Sequence, residues 1–186
     1  MYSISLFLHI VGALGIFASL AFEQAGLYNL RRGSTIAQAR EWLSLFRTLQ
    51  RVQGPSALVL LATGLYMMAT RWSHQAWAGL GLVAMVLMAI IGAAVTGRRM
   101  KTIGPAIPVN DGPLPAALRE RFEDPALRMS ASVRVALALG IVFNMSVKPA
   151  TDGAVAALVV AAVLGLLAAQ LGRGSSRETR RPAVQE

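Results

Sequence analysis

The sequence predicts an all-α fold: a polytopic transmembrane bundle of five helices, with the N-terminus outside and the C-terminus in the cytoplasm. Three observations predict it. Five apolar stretches recur along 186 residues, over positions 4–22, 56–70, 76–96, 135–147 and 153–171, in a chain that is 55% hydrophobic. A bilayer core about 30 Å thick takes roughly 20 mostly apolar residues per helix, and soluble domains rarely repeat such runs five times. The cations are segregated: 15 of 18 Lys and Arg lie in residues 31–51, 98–128 and the tail from Arg173. The alternate connections hold only Arg71 and Lys148, so the positive-inside rule and an odd number of spans give the same topology. A four-helix count is the alternative, because the second and fourth runs are short.

Each span is justified by its local signals. The first, about 4–28, lacks the basic n-region of a signal peptide. Its Ser19-Leu20-Ala21 resembles a cleavage site, but Arg31 and Arg32 downstream oppose export, so the helix is expected to be retained. Residues 35–53, capped by Ser34, read as a helix lying at the inner interface, with Trp42 and arginines at the headgroups; a partner-binding helix is the alternative. Gly54-Pro55 marks a break and a first-turn proline, starting the second span, 55–72. The third, 76–97, takes Ser73 as its cap. A cytoplasmic loop, 98–130, carries four prolines over residues 102–124 and a short helix from Pro115 to Phe122. Asp124-Pro125 then starts a helix that enters the membrane near Ala131 and spans 131–148. Thr151 or Asp152 caps the fifth span, 152–171, and together these make one domain over 1–172. Residues 173–186, polar and without apolar period, are expected to be a disordered cytoplasmic tail.

Composition excludes several functions. There is no cysteine, which removes disulfides, thiolate metal sites and thiol catalysis. The net charge of +9 would suggest nucleic acid in a soluble protein, but here it follows topology, so the lipid bilayer is the expected partner and nucleic acid is not. The arginine-rich, Ala/Gly/Val-rich composition points to a bacterial inner (cell) membrane. No complete reaction motif appears, so the sequence leans against an enzyme without deciding it.

Ionisable groups within a membrane are costly and mark candidate sites. Ser5, His9, Gly12, Ile16, Ser19 and Glu23 follow one another at helical spacing, which puts them on one face of the first helix, expected to point inward. His9 falls in the outer leaflet, at the depth of Met67 and Met68 on the second span and of Asn144 and Met145 on the fourth; His74 sits in the short outer loop. Neutral imidazole and thioether suit copper(I), through His9, Met67, Met68 and Met145, while two imidazoles, His9 and His74, suit haem iron such as haem b. The plainer reading makes His9 a hydrogen-bonding interior group, the methionines packing residues and Trp72 and Trp77 belt anchors. Glu23 and Arg134, at comparable depth near the inner ends of their helices, are expected to form an ion pair, with Asn144 a further structural polar group.

The opening Leu8-His9-Ile10-Val11-Gly12-Ala13 resembles that of copper-resistance D-type and HemJ-type membrane proteins, which begin with a histidine-bearing helix. Thr63-Gly64-Leu65-Tyr66-Met67-Met68, with Trp72, Trp77 and the Met145–Pro149 stretch, is similar to an uncharacterised bacterial family of small integral membrane proteins. The resemblance implies haem-linked oxidation of protoporphyrinogen or copper passage, with His9 as the position carried over. The expectation is therefore a polar outer-leaflet pocket around His9 in a redox or metal-handling module. A transporter component is one alternative. The other is a structural subunit that uses Gly81, Gly92 and the Ala-rich fifth helix to contact a second copy or another membrane protein.

Overall fold

The computed structural model describes residues 1–178, with side chains as far as Leu171. The helices are α1 (Tyr2–Arg32), α2 (Ile36–Arg71), α3 (Ala76–Ile91), α4 (Arg98–Ile103), α5 (Ala116–Phe122), α6 (Pro125–Val147) and α7 (Thr151–Glu178). A π-helical segment, Gly92–Gly97, joins α3 to α4 without a break, and a 3-10 turn follows at Gly104–Ala106. Five stretches are long and apolar enough to cross a membrane, so this is a multi-pass helical membrane protein with five candidate spans.

α1 and α2 form one tightly packed hairpin, and α3, α6 and α7 form a second group. The two meet through α1 and α6, whereas α2 and α3 barely touch. In the hairpin, a Cβ on Gly12 would stand 3.0 Å from the Ser56 carbonyl oxygen, so the backbones approach as small residues permit.

That approach accounts for one departure from expectation. Residues read as two elements, 35–53 and 55–72, form the single helix α2, which runs through Gly54-Pro55. Proline removes one helix hydrogen bond, a local cost that packing against α1 overrides. The cap is Thr35, whose hydroxyl accepts from the Gln38 amide at 3.3 Å; Ser34 instead donates its amide to the Gln38 side chain. Nor does the first half of α2 depend on lipid alone for its apolar face. Ile36, Ala39, Leu43 and Phe46 are buried, most of them in a cluster with Leu27, Leu30, Ile103, Leu114, Leu118, Phe122 and Leu127.

The connection over 98–124 is pinned to the bundle. The Ile36 amide donates to Gly112 O and the Leu114 amide to Ser34 O, while Arg40 donates to the carbonyls of Pro108 and Val109 and pairs with Asp111. Arg31 Nε donates to Phe122 O at 3.0 Å. The short helix expected at 115–122 forms as α5, one residue later. Asp124 caps α6 as its sequence requires, with Oδ1 accepting from the Ala126 amide at 2.8 Å and Oδ2 bonded to Arg99.

Two further caps and the tail differ from the sequence reading. Gln75, not Ser73, precedes α3, and α7 begins at Thr151 with Asp152 in its first turn, where its charge favours the helix N-terminus. The tail expected to be disordered from 173 continues α7 to Glu178; residues 179–186 lie outside the described part.

Candidate functional site

The inward stripe on α1 faces the bundle interior. Gly12, Ser19 and Glu23 are buried and Ser5, His9 and Ile16 half-buried, whereas Ile4, Phe7, Ile10, Val11 and Leu14 on the other faces are exposed. At its His9 end α1 lines a cavity of about 540 Å³ together with α2, α3 and α6, through His9 of the stripe and through Tyr2, Leu6, Ile10, Ala13, Leu14 and Phe17 beside it. Its lining includes the exposed Lys148 at the end next to the 72–75 turn, and α2 and α3 barely touch alongside it. His9, Met67, Met68 and Met145 all line it, so four residues from three helices share one space. His74 does not. It is exposed in the 72–75 turn outside the cavity, so the His9–His74 pair is not brought together.

The hydrogen bonds around His9 determine its chemistry. Thr63 Oγ1 donates its single proton to the Val59 carbonyl at 2.6 Å, as a helical threonine can. It therefore accepts from His9, whose Nδ1 lies 3.1 Å away. The neutral imidazole is thus assigned as the Nδ1–H tautomer, which leaves the Nε2 lone pair free to accept a proton or bind a metal. Gly64, next in sequence, makes room: a Cβ there would stand 3.2 Å from His9 Cε1. Thr63-Gly64 on α2 therefore fixes both the position and the tautomer of a ring on α1, and only pairing the two helices reveals it.

Apart from Tyr2, Ser146 and Lys148, the rest of the wall is apolar. Leu6, Phe17, Leu60, Leu82, Met85 and Met88 contribute, and Met145 sits against α3 where a Cβ on Gly81 would meet its Cε at 2.7 Å. The expected polar pocket is thus an apolar one with an imidazole in its wall. At the mouth, Trp77 is buried rather than a belt anchor, and it meets Trp72 edge-on with ring centres 5.3 Å apart. Lys148 Nζ lies 4.4 Å from the Trp72 ring centre and 5.8 Å from that of Trp77, and the Arg71 guanidinium lies 4.8 Å from the Tyr2 ring centre. Behind the mouth, the fully buried Asn144 donates to the Ala154 carbonyl at 3.2 Å and ties α6 to α7.

Below the cavity floor lies a second polar group that the sequence revealed only in part. Glu23 and Arg134 form a buried ion pair. Arg134 also donates through Nη2 to Thr96 Oγ1 at 3.1 Å and through Nε to Ser130 O at 3.3 Å, and the Thr96 and Ser130 hydroxyls are 3.0 Å apart. Thr96 lies in the π-helical segment, a geometry frequent at functional positions. Gly92 opens the same segment, and a Cβ there would stand 3.0 Å from Arg134 Nη1. No pattern of apolar residues foretells a π segment, so nothing in the sequence singles out Thr96 and Ser130.

Among the described residues, no three His, Cys, Asp or Glu side chains group as a metal site. Any metal held here would depend on His9 Nε2 and thioether sulfur. Comparisons of the chain with protein-family models, with curated proteins and with solved structures found no match.

Proposed function

We propose that this is a bacterial inner-membrane protein, with its C-terminus in the cytoplasm, that holds a ligand in the His9 cavity beneath the outer surface. The observation carrying this reading is the imidazole bonded through Nδ1 to Thr63, in a largely apolar cavity that five methionines also line. This donor set would suit a metal centre held by one imidazole and a thioether, a combination that binds copper(I) or haem iron. It does not fit two-imidazole haem ligation, because His74 lies outside. Such a centre would supply electron transfer or metal delivery. The chain's own contribution would be to orient His9 through Thr63, exclude water with apolar walls, and present Met67, Met68 or Met145 as the second donor.

The test is an absorption spectrum and metal analysis of protein gently purified from cells supplied with iron, haem precursor and copper. The expected result is a haem band or one equivalent of copper, abolished by His9→Ala and altered by Thr63→Val. Colourless, metal-free protein would contradict the metal reading. A transport component is a second reading, favoured by a cavity whose lining takes in the exposed Lys148 at one end, with the buried Glu23–Arg134 pair lying outside that lining. Uptake of copper into reconstituted vesicles, lost with His9→Ala, is its expected signature; no flux would contradict it.

A further inference from the structure

We infer that the cavity binds an anionic amphiphile, its apolar body between α2 and α3 and its acidic head on Lys148 and Arg71 at the mouth. The inference rests on the cavity being the ligand site, but not on any metal.

Three observations carry it. First, the walls suit a long apolar body. The α3 lining runs from Trp77 to Met88, about 16 Å at 1.5 Å per residue, and is matched on α6 by Ala138, Ile141, Val142 and Met145. Second, the mouth is cationic without being neutralised. Lys148 itself lines the cavity, and Arg71 stacks on the lining residue Tyr2. Among the described residues, neither is bonded to a carboxylate: the ion pairs are Arg40–Asp111, Arg99–Asp124 and Glu23–Arg134, all away from this mouth. An aromatic face attracts a cation from below and leaves its other donors directed outward, free for a carboxylate or phosphate.

Third, Lys148 is held in an unfavourable backbone state. Its φ is 52° and its ψ 54°, the only positive φ outside glycine among the described residues. Glycine or asparagine occupies such a helix C-cap at lower cost. A lysine there sacrifices backbone ease and gains an ammonium positioned against Trp72 and Trp77. This arrangement gives charge complementarity to an acidic head directly above an apolar slot.

The experiment uses the tryptophans as reporters. The chain has three, and Trp42→Phe leaves Trp72 and Trp77, both in the cavity wall. In this background, reconstituted in phosphatidylcholine nanodiscs, a nitroxide-labelled fatty acid and its methyl ester are titrated as quenchers. The expected result is saturable quenching by the acid at about tenfold lower concentration than by the ester, the size of one charge-assisted contact. Lys148→Gly combined with Arg71→Gln should bring the two curves together. Glycine relieves the left-handed backbone, so this loss cannot be attributed to misfolding. Nitroxide-labelled phosphatidylglycerol, run beside labelled phosphatidylcholine, separates a bilayer headgroup from a free acid: preference for the glycerol lipid identifies a membrane lipid as the source, and preference confined to the fatty acid identifies a free carboxylate.

Equal quenching by acid and ester in the parent protein would overturn the inference, as would an acid preference that survives in the double variant. A repeat in His9→Ala keeps the two readings apart. Acid preference that persists there sustains the mouth, whereas the metal reading stands or falls on the metal content of the parent protein.

Discussion

The two ends of the bundle are built on opposite plans. At the arginine-rich end, α1, α2, α5 and α6 converge on Leu27, Leu43, Phe122 and Leu127, the loop over 98–124 is stitched down by backbone hydrogen bonds, and a buried ion pair joins the two helix groups. At the His9 end, α2 and α3 separate, and the space between them is lined by flexible methionines and one imidazole. One end concentrates the tertiary contacts that hold the bundle together. The other leaves surface uncovered that a ligand can fill. Within lipid, apolar contacts between helices add little over apolar contacts with acyl chains, so packing and polar links at the closed end matter disproportionately.

The largest expected effect breaks the closed end. Arg134→Ala leaves Glu23 buried without its partner and should cost about 3–5 kcal/mol of unfolding free energy, read from reversible unfolding in mixed micelles. Replacing both partners with apolar residues should recover most of that loss. If the single substitution is as mild as the double one, the pair does not join the two helix groups.

Next comes the core beside it. Leu127, fully buried, should cost about 2–5 kcal/mol as Leu127→Ala, without changing whatever the cavity binds. Loss of ligand binding in folded Leu127→Ala protein would mean that the ends are coupled rather than separate.

A smaller effect concerns the start of α6. Burial alone would raise the Asp124 carboxyl, but the Arg99 and Ala126 hydrogen bonds, with the Arg99 and Arg31 charges, outweigh it and hold the group below its ordinary range. The folded value is thus depressed, so the stabilisation is complete above the ordinary aspartate value of about 4 and is lost as pH falls through the lower folded value. Asp124→Ala should cost about 0.5–2 kcal/mol at neutral pH and remove that acid sensitivity. An unchanged acid-unfolding profile in the variant would contradict the assignment.

Much of this architecture is legible in the sequence, for identifiable reasons. The apolar runs mark all five spans because lipid imposes a length and a composition, and the inward stripe from Ser5 to Glu23 emerges from helical periodicity alone. Glu23 and Arg134 could be paired because depth follows from residue count. Gly54-Pro55 misleads because its local cost is overridden by the Gly12–Ser56 approach, a contact between residues 44 positions apart. Nothing in the sequence separates His74 from His9, since a turn of a few residues can point its side chains anywhere. The role of Thr63 was hidden because a threonine in an apolar helix usually bonds only its own backbone, and its second partner lies on another helix.

At the open end the stability effects should be slight. His9→Ala removes the bond to Thr63, which keeps its own to Val59, so it should cost about 1 kcal/mol or less while abolishing metal binding. A cost comparable to that of Arg134→Ala would make His9 a structural residue and remove the contrast.

The most direct test exploits the absence of native cysteine. Single Met68→Cys and Ala131→Cys proteins in nanodiscs are exposed to a small methanethiosulfonate reagent, with and without a long-chain fatty acid. The account predicts that the cavity position reacts readily and is protected by the acid, while the position in the packed end, 1% exposed, resists the reagent under both conditions. Equal reactivity at the two positions, or a cavity cysteine that never reacts, would contradict it.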